Sequence, residues 1–291
     1  MLSTIFKSTF AVALICIANT ASAQGTPSVY QQAALDGQEA QNRGDLKTAF
    51  DKFTFACLSG DVYVACNNAG SMAYDGTHVT KDLPLARRLY SRACAAKIAA
   101  SCEVYGAMLK SGEGGPKDIA GSLGPLGIAC DSTYGGACYN AGYIHFAALL
   151  GKSDLAIARR YFDLSCDRQY APGCYAAGLA KQKAEGAAAI DLVGAARAFG
   201  KACELGYADG CLNYGVAQIS AEGMAEDAAG ARSSFARACN AGSLGGCMNA
   251  GMMARDGTGG TRDAAAAARY FGNACKLGEQ AGCNEAQALK N

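Results

Sequence analysis

The sequence predicts an all-α protein: a solenoid of about seven αα-hairpins, each closed by its own disulfide. Three observations predict it. Paired cysteines recur at a nearly constant step along the chain. An aspartate, a small residue and a bulky apolar residue keep that same step at helical spacing. The composition is rich in small residues, with 37 glycines, only 5 prolines and no tryptophan, which suits closely packed helices better than sheets.

The cysteines come first. Fourteen of the 15 fall into seven pairs: Cys57/Cys66, Cys94/Cys102, Cys130/Cys138, Cys166/Cys174, Cys203/Cys211, Cys239/Cys247 and Cys275/Cys283. Six pairs enclose seven residues and the first encloses eight, and first members follow one another at 36 or 37 residues.

The helices follow from residues in step with these pairs. Twelve residues before each first cysteine stands Asp45, Asp82, Asp118, Asp154, Asp191, Asp227 or Asp263. An aspartate suits a helix start, because its carboxylate accepts the free amides of the first turn and its charge suits the positive end of the helix. Eight before the cysteine is a small residue, as at Ala49, Ala86, Ser122 and Ala267. Four before it is a bulky one, as at Phe53, Tyr90, Leu126 and Phe271. Positions at these offsets share one helical face. Tyrosines and phenylalanines are read as core residues on this pattern. Gly60, Gly206, Gly242 and Gly278, three residues after a first cysteine, read as left-handed C-caps. The first cysteine therefore ends one helix (B) and the second begins the next (A), with a short turn between. Both sulfurs then lie at one corner, within disulfide reach. Zinc sites want closer spacings and four converging ligands, so no metal site is expected. Four residues after the second cysteine, Gly70, Gly106, Gly142, Gly178, Gly215 and Gly251 are expected to admit a neighbouring backbone, whereas Gln287 breaks the pattern.

The ends and one middle repeat differ. Residues 30–42 read as an opening helix and 284–290 as a short closing one. Pro125, within a segment carrying three glycines (IAGSLGPLGI), predicts a kinked or shortened helix. Stacked hairpins predict a right-handed superhelix with a concave and a convex face.

At the front, Lys7, the apolar run Ala11–Ala18 and Ala21-Ser22-Ala23 read as a signal peptide, 1–23, cut after Ala23. Cleavage removes Cys16 and leaves an even number of cysteines in a single solenoid, 24–291. Export to an oxidising periplasm or medium fits disulfides. No membrane span is expected after cleavage. The net charge of +1 gives no electrostatic case for nucleic acid. A monomer is expected.

Chemistry is harder to find. No serine beyond the signal segment precedes a lysine by three residues, as a serine β-lactamase motif requires. His78 and His145 are 67 residues apart and read as loop and helix residues. Gly151-Lys152-Ser153 lacks the first glycine and preceding strand of a P-loop and reads as a loop before Asp154. No catalytic residue and no cofactor is assigned. Asn68, Asn140, Asn213 and Asn249, two residues after a second cysteine, are candidate groove contacts for a partner's extended backbone, or else bonds to a neighbouring corner.

The segments GMMARDGTGGTRDAAAAARYFGNACKLGEQAGC (251–283) and FGKACELGYADGCLNYG (199–215) resemble the Sel-one-like repeats (SLR), relatives of the tetratricopeptide repeats. Cysteines at the corner are similar to those of the secreted Helicobacter cysteine-rich branch. The resemblance implies a tetratricopeptide-like scaffold, exported, that binds a protein or peptide partner. For that branch it also implies a second possibility, weak penicillin binding or β-lactam hydrolysis.

Overall fold

The structure, a computed structural model, describes residues 26–76, 78–184 and 189–289. The expected signal segment lies outside the described residues. Among the described residues there are fifteen α-helices and no strands. The chain divides into two compact units, one reaching to Asp118 and the other starting at Ile119. The first holds α1 (Val29–Asn42), α2 (Leu46–Gly60), α3 (Tyr63–Asp75), α4 (Leu83–Ala95) and α5 (Ala99–Ser111). The second begins with α6 (Ile119–Asp131), α7 (Gly135–Phe146), α8 (Leu155–Asp167), α9 (Ala171–Lys181) and α10 (Leu192–Glu204). It continues through α11 (Ala208–Ser220), α12 (Ala228–Asn240), α13 (Leu244–Asp256), α14 (Ala264–Lys276) and α15 (Gln280–Ala288).

Aspartates start the even-numbered helices. The carboxylate of Asp45 accepts from Thr48 N at 3.1 Å, Asp82 from Leu85 N at 2.9 Å and Asp154 from Ile157 N at 3.0 Å. Asp191, Asp227 and Asp263 accept from Gly194, Gly230 and Ala266 N at 2.8 Å. Each satisfies one amide that the first turn leaves without a partner. The same residues also close the hairpin through the backbone. The amides of Asp82, Asp118, Asp154, Asp191, Asp227 and Asp263 donate to Ala73, Leu109, His145, Lys181, Gln218 and Ala254 O, near the end of the preceding helix.

Packing within six of the hairpins depends on a ring seated over a missing side chain. A Cβ on Gly178 of α9 would collide with the Phe199 ring of α10, and one on Gly251 of α13 would stand 2.7 Å from Phe271 of α14. Gly37/Phe53, Gly142/Phe162 and Gly215/Phe235 repeat the arrangement at 2.7–2.9 Å, and Gly70/Tyr90 at 3.2 Å. What these glycines admit is therefore an aromatic ring from the bulky B-helix position, not a neighbouring backbone. The rings of Phe53, Phe162, Phe199 and Phe271 are completely buried.

At each corner the two cysteines are bonded. Cys94 joins Cys102, Cys130 joins Cys138, Cys166 joins Cys174 and Cys239 joins Cys247, and the remaining three pairs do the same. The Cα atoms of each pair are 4.2–4.8 Å apart. Helices that close leave no room beside the bond. A Cβ on Gly210 or Gly246, next to the second cysteine, would stand 2.5 Å from Ala202 or Ala238, next to the first. Polar side chains then tie one corner to the next. Arg237 Nη2 donates to Cys203 O at 2.6 Å, Ser165 Oγ donates to Gly135 O at 2.7 Å, and Arg92 pairs with Asp61. In the B helices, arginines hold the following hairpin's loop. Arg87 Nη2 donates to Pro116 O, Arg159 Nε to Ala180 O and Arg232 Nη1 to Thr261 O, at 2.8–3.1 Å.

In the second unit alternate helices also touch: α7 with α9, α9 with α11, α11 with α13 on one side, and α8 with α10, α10 with α12, α12 with α14 on the other. The unit is thus a two-layer αα-hairpin solenoid.

Three local expectations are corrected. Gly206, Gly242 and Gly278 are left-handed (φ +82, +89 and +96), but in the first pair Asp61 takes that conformation (φ +52). The extra residue in that pair moves the turn by one, and Gly60 instead stays helical where a Cβ would collide with Tyr30. Pro125 does not shorten α6, which runs 13 residues. One lost amide bond is outweighed by the face that Ser122, Leu126, Ala129 and Cys130 bury. The closing helix starts at Gln280 rather than 284, because the last corner turns as the others do and Cys283 lies within its first turn. The bonded corners lie in the core: Cys66, Cys102, Cys138, Cys174 and Cys247 are completely buried. Stacking is the reason. The B helix of the following repeat lays a small residue over the bond: Ala93 packs with Cys57 and Cys66, Ala238 with Cys203 and Cys211, and Ala274 with Cys239 and Cys247. These bridges are core elements.

Gly251→Ala should lower stability by about 1–2 kcal/mol, since overpacking against Phe271 exceeds the helix-propensity gain. Gly272→Ala, whose Cβ meets nothing within 4 Å, should raise it by about 0.5–1 kcal/mol. Urea unfolding of the two variants checks the opposite signs. Each disulfide closes a loop whose partners are 8 or 9 residues apart and should contribute about 2–3 kcal/mol. Under graded reductant, Cys275–Cys283, where both sulfur-bearing residues are half-buried, should open before the fully buried Cys57–Cys66. Alkylation and peptide mass mapping give the order.

Candidate functional site

The odd-numbered helices of the second unit bury one side against the B layer and present the other to solvent. On α11 the buried residues are Gly210, Cys211, Gly215, Ala217 and Gln218. Asp209, Leu212, Asn213 and Val216 lie on the outer stripe, half-buried or exposed. The step of the repeat aligns such stripes. Five residues after the second cysteine stand Tyr143, Val216 and Met252, exposed to 41%, 40% and 39%, so one large apolar side chain stands out on each of these helices. One residue after the cysteine stand Tyr139, Tyr175, Leu212 and Met248, all half-buried.

In the part of the stripe formed by α7, α9 and α11 the side chains are tyrosines. Tyr139 of α7 packs on Tyr170, the residue before α9, with ring centroids 5.7 Å apart and planes tilted by 54°. Tyr175 of α9 packs on Tyr207, the residue before α11, at 5.3 Å and 44°. Tyr143 lies 6.2 Å from Tyr139 along α7. Tyr139 and Tyr207 are close enough to interact electrostatically, which joins the two pairs into one patch. Burial pushes the phenols of Tyr139, Tyr175 and Tyr207 above their ordinary value, and the carboxylate of Asp209 adds to this at Tyr175 and Tyr207. They therefore remain neutral hydrogen-bond donors at physiological pH. In the first unit the corresponding positions hold Asn67 and Glu103, then Ser71 and Ala107, so its stripe is polar or small.

The asparagines singled out from sequence lie on these stripes, half-buried. Asn213 Nδ2 donates to Asp209 O at 2.8 Å on its own helix and interacts with Tyr175. Asn68 Oδ1 accepts from Asn67 Nδ2 at 3.4 Å. Neither contact reaches a neighbouring corner. Asn140 and Asn249 occupy the equivalent places on α7 and α13, whereas Asn68 is on α3 in the first unit. The tyrosine stripe itself is not anticipated by reading tyrosines as core. The signal was present in the matching steps of Tyr134, Tyr170 and Tyr207 and of Tyr139 and Tyr175.

The other sequence candidates have structural roles. The fourteen paired cysteines are all bonded, and the buried second members Cys102, Cys138, Cys174 and Cys247 offer no sulfur to solvent. His78 sits at φ +65, four residues before Asp82, the place where Gly114, Gly223 and Gly259 take φ between +70 and +75 before their own aspartates. His145 lies in the last turn of α7, stacked 6.2 Å from Tyr161. Gly151-Lys152-Ser153 lies in the loop before Asp154. A shallow, open depression of about 310 Å³ is lined by Cys203, Gly206, Cys211, Arg237, Asn240 and Ala241, and its arginine is engaged by Cys203 O. No group of acidic, histidine or cysteine side chains suited to a metal occurs among the described residues.

No protein-family model matches the sequence, and no curated protein matches it. Solved structures do. A Sel1 repeat protein from Oxalobacter formigenes aligns with a TM-score of 0.64 and 17% identity over 83% of this chain and 96% of its own. A protective antigen present in uropathogenic Escherichia coli strains, which displays an SLR fold, aligns with a TM-score of 0.56 and 17% identity over 89% of this chain and 67% of its own. Helicobacter pylori cysteine-rich protein B aligns at 24% identity over 45% of this chain and 93% of its own, with a TM-score of 0.37. The first two likenesses, together with the bonded corners and the stacked hairpins, show that this chain has the Sel1-like repeat fold.

Proposed function

We propose that the chain is an exported repeat scaffold that binds a protein or peptide through the outer stripe of its odd-numbered helices in the second unit. The observation that carries this reading is the alignment of half-exposed tyrosines, aliphatic side chains and asparagines along successive helices. A monomeric protein has no folding reason to leave one large apolar side chain per repeat in water, and contiguous patches of this kind mark interaction surfaces. Tyrosine suits such a surface, since it combines apolar area with a hydroxyl donor at low entropic cost. Asparagine amides beside it can satisfy a partner's backbone. Export is supported by the N-terminal residues and by seven disulfides, which persist in oxidising compartments.

Capture from the exported fraction by the oxidised mature chain, compared with two surface variants, tests the face. Asn140→Ala/Asn213→Ala/Asn249→Ala and Val216→Asp/Met252→Asp should each reduce captured partner by about tenfold while leaving the helical circular dichroism intact. Unchanged capture by both would refute the assignment. Because burial raises the stripe phenols, binding should be insensitive to phenol ionisation up to pH 10, the ordinary tyrosine value, and should weaken above it as the donors ionise. Anisotropy across that range reads this. Mass analysis of the exported chain should find Gln24 at its start. Nitrocefin incubated with the oxidised protein should show no hydrolysis above buffer.

A further inference from the structure

We propose that the tyrosine stripe takes a proline-rich segment in the polyproline II conformation, with a basic residue of that segment lying against Asp209. This rests on the reading of the stripe as the binding face and names the chemistry of its occupant.

The shape of the ring pairs comes first. Tyr139/Tyr170 and Tyr175/Tyr207 are tilted by 54° and 44°, so each forms a wedge rather than a flat platform. A sugar ring stacks on a flat aromatic face. The paired rings already touch, with centroids 5.7 and 5.3 Å apart, so a proline ring, narrow and apolar, rests against the open side of the angle between them. The two wedges are also one repeat apart, Tyr139 to Tyr175 and Tyr170 to Tyr207, on helices that pack side by side. Packed helix axes lie about 8–10 Å apart. A polyproline II helix brings every third side chain back to one face after about 9 Å. Prolines three apart can therefore enter successive wedges without stretching. An extended β-strand returns to the same face after only about 6.6 Å and falls out of step after one wedge.

The hydrogen-bonding chemistry agrees. Polyproline II makes no internal hydrogen bonds, so its carbonyls need donors. The stripe supplies them from the neutral phenols of Tyr139 and Tyr207. Proline carries no amide hydrogen, so none is stranded in an apolar wedge. Charge sets the flank. Asp209 is exposed in the first turn of α11, two residues after Tyr207, and no cation lies within ion-pair distance of it among the described residues. Its field reaches both phenols of the second wedge. A lysine or arginine next to the second proline would meet that carboxylate.

The test uses the intact oxidised chain and labelled peptides read by fluorescence anisotropy. An oligoproline flanked by arginines should bind saturably. The same peptide flanked by glutamates, and an arginine-flanked Gly/Ser peptide, should each bind at least about tenfold more weakly. Tyr175→Ala/Tyr207→Ala should abolish binding. Asp209→Arg, a change at an exposed position, should reverse the preference, weakening the arginine-flanked peptide and strengthening the glutamate-flanked one. Equal binding of the oligoproline and Gly/Ser peptides overturns the proposal, as does an unchanged flank preference in Asp209→Arg. If oligoproline fails while the stripe variants above still lose their captured partner, the face is right and this occupant is wrong. If both tests fail, the face itself falls.

Discussion

The structure depends on how closely one helix can turn back on the next. At each corner the bonded cysteines hold two backbones with Cα atoms 4.2–4.8 Å apart. Only small residues fit beside such a bond, which is why Gly210 faces Ala202 and Gly246 faces Ala238. The other end of the hairpin is held by different means. The cap aspartate bonds forward into its own helix and its amide bonds back to the helix before, so both ends of every B helix in register are pinned by short-range contacts. Repeats that contact only their neighbours gain stability as a sum of such local terms.

Between these pinned ends, the ring-over-glycine contact fixes which way the A helix faces. Gly178 and Gly251 leave the space that Phe199 and Phe271 fill, so rotating the A helix would open a void or force a clash. Once that face is committed inward, the residue five places after the second cysteine is left toward solvent, and the one directly after that cysteine lies half-buried at the edge of the core. The outer stripe is therefore a consequence of the core, and its composition is free to vary. In the second unit that freedom has been filled by Tyr139, Tyr143, Tyr175, Val216 and Met252, and in the first by Asn67, Ser71, Glu103 and Ala107.

The same division explains why the search for chemistry among conspicuous residues ends in structural roles. The cysteines are bonded and mostly buried, the aspartates cap helices, and His78 occupies a left-handed position that other repeats give to glycine. A residue that recurs in every repeat serves the repeat. The proposed recognition falls instead on positions that differ between repeats while sharing one direction, and these carry no motif.

Much of the fold was legible because its constraints are local and repeated. Helix starts at Asp45 to Asp263, helix ends near each first cysteine, the corner pairing and the inward face all follow from offsets of four, eight and twelve residues. Departures occur where a contact distant in sequence intervenes: Tyr30 against Gly60, or the buried face of α6 that keeps a helix through Pro125. The candidate site was legible only in part. The asparagines were seen because they stand beside the cysteines, but Tyr170 and Tyr207 stand before their helices, and nothing local says that they meet Tyr139 and Tyr175 from the preceding repeat. Sequence alone determined the period, the caps and the clasped corners, because each is a relation between residues within one helical hairpin. The tyrosine wedges and the burial of the sulfurs were decided by tertiary structure, because they exist only where one repeat is stacked on the next.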